Sequence, residues 1–430
     1  MINTAEVYLW GTRIGIIHQE DIKEYVSFEY DRDFLSSGIE LSPLMMPLSP
    51  RVYEFPGLAG GAFHGAPGLI ADSLPDTFGN RIIEKWLFEQ GRKLSDFNTI
   101  DRLCYTGERG MGALEYKPAS GPSSLPNEDI NIAEMVRFAS EVLTGKKNQK
   151  LDLKDDPGYS QLIQLGTSAG GARAKALIAW NEAEGKIMSG QIDAGNGYEY
   201  WLMKFDGVTK NGDHELEDAV EYTRIEYAYS LIAKDAGITM SDCRLWEENG
   251  RYHFMTKRFD RLNNKKLHMQ TLAALAHIDY NIPGQIGYED AANIALKITN
   301  NFADVEELYR RMVFNVLFVN QDDHVKNTAF LMEKNGIWNL SPAYDLTFAY
   351  NPSNTWLKAH QMLINGKSKD ITNNDLIEAG IKMGLKNSKC SKIIGQVKRV
   401  KKDFSSYLEA AGVSQKTIKT LEAVMNKING

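Results

Sequence analysis

The sequence predicts an α+β protein of more than one domain, β-rich at its N-terminal end and mainly helical at its C-terminal end. Three observations predict this. The chain has 430 residues, whereas a single hydrophobic core stops growing near about 250–300. Before about residue 115, short strand-like runs such as IGIIH and YVSFEY alternate with Gly and Pro turns. From about residue 270 onward, apolar residues recur at helical spacing.

DTFGNRIIEKWLFEQG is a helix that Asp76 caps and Gly91 ends. Phe78, Ile82, Ile83, Trp86 and Leu87 share its apolar face. ASGPSSLPNED, residues 119–129, reads as a linker. EYWLMKFD alternates as a strand around Lys204, and RYHFMTKRFD is a further strand. Between them EYTRIEYAYSLIAKDAG is a helix, with Ile225, Ala228, Tyr229 and Ile232 on one face and Gly237 at its stop. In the helical half, NTAFLMEKNGIWNLSP reads as a hairpin, with Asn335-Gly336 as a type I′ turn.

Composition narrows the function classes. Hydrophobic content of 43% and charged content of 24% are those of a soluble globular protein. A net charge of −7 argues against a globally basic nucleic-acid binder. The 3 cysteines (Cys104, Cys243, Cys390) are too far apart for a zinc knuckle or a disulfide framework. MINTAEVYLWGTRIG lacks an apolar signal core, and no apolar run approaches the ~18 residues of a membrane span. The expectation is a cytoplasmic protein with no membrane partner.

The densest chemistry lies in FVNQDDHVKN, residues 318–327. Asp322 precedes Asn327 by the D-x-x-x-x-N spacing of a kinase catalytic loop. There the aspartate orients and deprotonates the attacking hydroxyl, and the asparagine holds a metal on the phosphate oxygens. A short loop of fixed length makes both converge on one phosphoryl group. Taken alone, the same residues also suit an ordinary polar loop at a helix end. The order of the neighbouring elements favours the catalytic reading: a helix feeds the loop, a hairpin comes after it, and then LSPAYDL brings Asp345 to a strand exit, as the second metal aspartate of a kinase requires. His324 either orients the loop or ligates a metal. A metal phosphohydrolase would need more ligands, and none of the other seven of 8 histidines forms a ligand motif.

An ATP clamp is expected upstream. Lys204, mid-strand in WLMKF, sits where the kinase phosphate lysine sits, and Glu226 on the next helix is its natural partner. A snorkelling edge lysine is the alternative. LGTSAGGARAKALIAW is neither a Walker A loop nor G-x-G-x-x-G. Gly170 and Gly171 still permit close approach to phosphate, Thr167 and Ser168 add hydroxyls, and Arg173 and Lys175 add charge. A plain glycine turn is its simpler reading. Finally, residues 382–402 carry 8 basic side chains and no acidic one, either a solvated helix face or a surface for nucleic acid or an acidic partner.

SAGGARAKALI, WLMKF, NQDDHVKN and LSPAYDL, in that order, resemble the HipA family of bacterial serine/threonine kinases, the toxins of HipA/HipB pairs. SFEYDRDFL, LSPLMMPL, GLIADSLPDTFGNRII and LCYTGERGMGALEY extend the resemblance to nearly the whole chain. It implies a protein-kinase-like two-lobed fold: a small N-terminal β-rich subdomain (1–118), an N-lobe with the glycine loop and ATP lysine (119–260), and a mainly helical C-terminal lobe (261–430). It further implies ATP and Mg2+ as cofactors, Asp322 as the catalytic aspartate with His324 beside it, and Asn327 and Asp345 as magnesium ligands. Lys204, Gly170, Gly171, Lys175, Lys257, Phe259 and Tyr344 are the implied nucleotide-binding residues, and Ser168 is the implied site of a silencing autophosphorylation. The implied partners are a HipB-like helix-turn-helix antitoxin, operator DNA through that complex, and a protein substrate such as an aminoacyl-tRNA synthetase or other translation factor. The chain departs from the family at Arg173, often Gln, and at Lys257, often Glu. Neither change touches the catalytic set, but substrate identity does not carry over. The competing readings are a kinase-fold enzyme acting on a small molecule and a DNA-associated corepressor.

Overall fold

The computed structural model describes residues 1–122, 130–144, 173–191, 193–208, 221–262 and 264–429. The chain divides into two compact units. One comprises Met1–Ser42, Met46–Thr223 and Arg244–Met269, and the other Pro43–Met45, Arg224–Cys243 and Gln270–Gly430.

The first unit holds two five-stranded sheets. Strands β1 (Thr4–Leu9), β2 (Thr12–His18), β3 (Ser27–Tyr30), β4 (Val52–Tyr53) and β5 (Leu114–Lys117) form a sheet in the order β4-β3-β2-β1-β5. The β1–β2 hairpin turns on Trp10 and Gly11, with φ of 51° and 82°, the left-handed pair that a two-residue hairpin demands. Helix α1 (Thr77–Glu89) starts where Asp76 accepts from the Gly79 N–H at 2.7 Å. Gly91, with φ 72°, turns the chain away beyond its end. Its buried face is Phe78, Ile82, Ile83 and Leu87, as the spacing predicts, and Trp86 is partly buried against the same core. Helix α2 (Thr99–Thr106) begins with a reciprocal capping box between Asn98 and Asp101.

The second sheet contains β6 (Lys175–Asn181), β7 (Lys186–Ser189), β8 (Glu199–Lys204), β9 (Cys243–Glu248) and β10 (Arg251–Lys257), in the order β7-β6-β8-β10-β9. Strand β8 is central, and every residue from Tyr200 to Lys204 is buried. The expected in–out alternation around Lys204 is therefore absent, because a strand covered on both faces has no solvent side. Helix α3 (Ile132–Thr144) and α1 share a core with this sheet, in which Phe78, Ile82, Met135 and Phe138 meet Ile178, Trp201 and Met203. The described linker residues are 119–122. The remainder, with Ser168, Gly170 and Gly171, lies outside the described residues.

The second unit is mainly helical. Helix α4 (Tyr222–Asp235) buries Ile225, Ala228, Tyr229 and Ile232. Helices α5 (Tyr288–Thr299), α6 (Phe302–Leu317), α7 (Asn373–Lys382), α8 (Asn387–Lys401), α9 (Phe404–Ala410) and α10 (Gln415–Asn429) come later in the chain. A short pair belonging to the first unit, β11 (Arg261–Leu262) and β12 (Lys265–Lys266), precedes β13 (His268–Thr271) in the chain, and β13 joins the hairpin β14 (Ala329–Met332) and β15 (Trp338–Leu340) in the order β13-β14-β15. The hairpin turn differs from the expected type I′. Of the Asn335-Gly336 pair only Gly336 takes a positive φ, 79°. Gly336 N–H donates to Glu333 O at 3.0 Å and Glu333 N–H to Ile337 O at 3.4 Å. A three-residue loop with a glycine bulge solves the same reversal.

Candidate active site

The end of α6 cannot continue as helix, because Val319 takes a left-handed φ of 56°, a costly conformation for a β-branched residue. Neighbours hold it there. Phe318 O accepts from Tyr229 Oη at 2.6 Å, and Ala349 N–H donates to Val319 O at 3.0 Å. Gln321 N–H donates to Ala349 O at 2.9 Å. The loop is thereby paired to the segment beyond Asp345.

Asp322 leads the exposed part of this loop, and its side chain is 47% exposed. Asn327 closes the short turn Val325–Asn327. Its Nδ2 donates to the Asp322 carbonyl at 2.8 Å, and its own N–H donates to His324 O at 2.9 Å. The spacing of four intervening residues thus becomes a closed ring that ties Asn327 back to Asp322. With Nδ2 so occupied, Oδ1 is the atom left to face a ligand. Tyr344 Oη donates to Lys326 O at 2.6 Å, which fixes the residue before Asp345 to the same loop. Asp345 takes φ 53°, tolerated by a short polar side chain that bonds locally.

His324 stands over the Tyr280 ring, 5.5 Å between centroids. Its Nε2 is 4.0 Å from Asp322 Oδ1, an ion-pair distance only if the ring is protonated. Lys326 Nζ lies 4.9 Å from the centroid of the same Tyr280 ring. Beside the loop opens a shallow cleft lined by Tyr280, Ile282, Pro283, Ile286, His324 and Met362.

Asp323, which the sequence suggested only as one of two adjacent aspartates suited to a metal phosphohydrolase, points the other way. Its side chain is fully buried. Tyr288 Oη donates to Oδ2 at 2.8 Å, His360 Nδ1 bonds the same oxygen at 2.8 Å, and Gln361 N–H donates to Oδ1 at 2.7 Å. Burial, reinforced by the charge of Asp323, pushes the Tyr288 phenol well above its usual range. Partners 35 to 38 residues distant leave no local signal in the sequence.

The two lysines expected at the nucleotide, Lys204 and Lys175, lie in the first unit. Lys204 ends β8, buried, with its Nζ 5.9 Å from the Phe254 ring centroid. Its register partner on β6 is Lys175. Lys175 Nζ bonds Asp76 Oδ2 at 3.0 Å, and both side chains are buried. The strand that leaves the glycine loop is therefore pinned to the cap of α1, across 99 residues of sequence. Lys257 pairs with Glu199 at the other end of β8. Phe259, part-buried, comes next within a segment anchored by Arg258, Asp260 and Arg261. Burial alone would raise the Asp260 carboxyl, but the two guanidinium groups outweigh it and hold Asp260 well below the carboxylate range. Burial brings Arg261 down to about 10.

Asn327 and Asp345 fit a hard cation. Both offer oxygen, and magnesium is commonly bound by one or two carboxylates together with substrate phosphates. Among the described residues, no three His, Cys, Asp or Glu side chains cluster as a metal site. No described helix is long and apolar enough to cross a membrane. The basic stretch forms the end of α7 and all of α8, which buries Cys390, Ile393, Ile394 and Val397. Lys392, Lys398, Arg399 and Lys402 face solvent.

Comparison with known proteins adds independent findings. Residues 167–404 match the model of the HipA-like C-terminal domain, and residues 5–117 that of the HipA N-terminal domain. A curated protein of Haemophilus influenzae named putative kinase is 30% identical over 160 residues, 33% of this chain and 46% of that protein. Putative kinase Y4dM of Sinorhizobium fredii is 29% identical over 158 residues, 34% of this chain and 36% of that protein. The chain thus spans less than half the length of these curated relatives. Among solved structures, the Shewanella oneidensis HipA, HipB and operator DNA complex contains a chain that superposes with TM-score 0.65 at 15% identity, over 99% of this chain and 95% of that one. The likeness carries the α+β, kinase-like fold. With family models matching both ends, the C-terminal one over more than half the chain, this protein belongs to the HipA family.

Proposed function

We propose that the protein is an Mg-ATP-dependent serine/threonine protein kinase of the HipA toxin type. The observation that carries the reading is the closed ring in which Asn327 Nδ2 bonds the Asp322 carbonyl at 2.8 Å while the Asp322 carboxylate stays open to solvent. A base and a metal ligand held together on a rigid loop suit in-line phosphoryl transfer. Asp322 orients and deprotonates the acceptor hydroxyl, with His324 beside it. Asn327 and Asp345 hold Mg2+, which neutralises charge on the phosphates when bound. Lys204 contacts the phosphates. Lys257, Phe259 and Tyr344 serve the nucleotide, and Lys175 serves it by anchoring the strand after Gly170 and Gly171. Ser168 is the autophosphorylation site. Residues 1–118 form the leading subdomain, 119–260 the nucleotide lobe and 261–430 the helical lobe. The names of the curated relatives support the activity.

The expected physiology is growth arrest through a protein target in translation, restrained by a HipB-like antitoxin that brings operator DNA. Support comes from the Shewanella complex, which holds HipA, HipB and operator DNA together.

The test is the intact mass and phosphosite map of the purified protein before and after Mg-ATP, beside Asp322→Asn. Phosphate on Ser168 in the wild type is expected, with none in the variant or in excess chelator. Wild-type transfer by Asp322→Asn at unchanged rate would refute the base assignment.

A further inference from the structure

We propose that Asp323 is a positioning residue: its buried carboxylate latches the catalytic loop so that Asp322 is presented to the acceptor hydroxyl. The proposal rests on the kinase reading above and extends it to a residue with no contact to the reacting atoms.

Asp322 is flanked by inward-facing anchors. On its C-terminal side, Asp323 is held by Tyr288 Oη, His360 Nδ1 and Gln361 N–H at 2.8, 2.8 and 2.7 Å. On its N-terminal side, Asn320 Nδ2 donates to Asn315 Oδ1 at 3.0 Å. The two anchors belong to one network, because Asn315 Nδ2 donates to Tyr288 Oη at 2.9 Å and Tyr288 Oη donates onward to Asp323. Asn320, Asp323, Tyr288 and His360 are each at most 3% exposed. A buried hydrogen-bonded network of this kind rigidifies its surroundings. With Asn320 and Asp323 both held inward, the residue between these anchors that reaches solvent is Asp322, whose side chain is 47% exposed.

The chemistry of the latch requires a carboxylate. Three donors converge on two oxygens, and an ionised carboxylate only accepts. An amide in its place offers one oxygen and points an N–H2 group at a donor. A second consequence is geometric. Gln361 N–H on Asp323 and Leu363 N–H on Ile286 O, at 2.9 Å, fasten residues 360–363 beside the loop. His324 and Met362 then face the same cleft.

The experiment compares wild type, Asp322→Asn, Asp323→Asn and Tyr288→Phe in steady-state phosphoryl transfer, with hydrogen exchange of residues 319–327 on the same samples. For Asp323→Asn, kcat falls about 10- to 100-fold with KM for ATP and acceptor within about threefold, since a misplacement of about 1 Å costs on that order. Exchange in the loop becomes faster. Tyr288→Phe, which keeps the packing and deletes one donor, shows the same pattern at about three- to tenfold, and decides the matter if Asp323→Asn does not fold. Wild-type kcat together with wild-type exchange in either folded variant overturns the proposal. A loss confined to melting temperature also overturns it, leaving Asp323 a structural residue. If the wild type, dephosphorylated at Ser168, transfers no phosphate, the kinase reading fails and the catalytic role fails with it. Exchange then still reports separately whether Asp323 orders the loop.

Discussion

Replacing Lys175 by Met removes one partner of an ion pair whose side chains are 2% and 4% exposed. Breaking such a pair typically costs about 3–5 kcal/mol, because a buried charge is left behind. An ordinary aspartate escapes by taking a proton, at about 1.4 kcal/mol per pH unit. From a reference near 3.9 to pH 7 that limits the loss to about 4 kcal/mol. Lys204 stands opposite Lys175 in register, so the substitution also relieves like-charge repulsion of about 0.2–1 kcal/mol. The net expectation is a loss of about 3 kcal/mol. Thermal denaturation should show a melting point lower by about 6–12 °C, at the ~2–4 °C per kcal/mol of a unit this size. The double variant Lys175→Met/Asp76→Asn should recover about 2 kcal/mol, since Asn still caps α1 at little cost. A loss below about 1 kcal/mol in the single variant, or no recovery in the double, would refute the reasoning. Lys175 would then be free to act as a direct phosphate ligand.

Two further outcomes rest on particular residues. Burial pushes the His268 imidazole down to about 3 from 6.5, so between those values the unfolded chain binds a proton that the folded chain refuses. Stability should be fully present above about 6.5 and fall as the pH drops towards 3, by about 1.4 kcal/mol per pH unit. Urea unfolding at stepped pH should include this slope, to which His277, pushed down to about 4 by burial, adds in the same window, and His268→Gln should lower the slope by the His268 share. Gly380 lies inside α7, where alanine normally stabilises by about 1 kcal/mol. Here a Cβ would stand 2.7 Å from the Tyr309 ring and collide with Cys390 Sγ. Gly380→Ala should therefore destabilise by about 1–2 kcal/mol, read from the denaturant midpoint.

Local features were legible in the sequence. Helix α1 announced its cap at Asp76 and its stop at Gly91 within one stretch of chain. The proximity of Asp322 and Asn327 was legible because only four residues separate them, and the Asn327 Nδ2 bond to the Asp322 carbonyl closes that turn. Lys204 was read as a mid-strand lysine from the apolar residues around it; β8 is that strand, but Lys204 is its last residue. What escaped were bonds between distant segments. Lys175 looked like a free phosphate ligand because Asp76 lies 99 residues upstream. Of two adjacent aspartates, only the fold reveals which is buried, since Tyr288 and His360 lie on either side of it at long range. The Asn335-Gly336 turn was located correctly but given the wrong conformation, because a glycine bulge and a type I′ turn draw on the same residues.

The hairpin between Asp322 and Asp345 has a consequence for engineering. Phe330, Leu331 and Met332 pair with Leu340, Asn339 and Trp338, while Glu333, Lys334 and Asn335 at its tip are exposed. Extra residues at that tip lengthen a loop whose ends are already closed, at an entropic cost that grows only slowly with length. A peptide tag or fluorescent reporter grafted there would sit between Asp322 and Asp345 in sequence while leaving the paired strands, and hence the spacing of the two carboxylates, as they are.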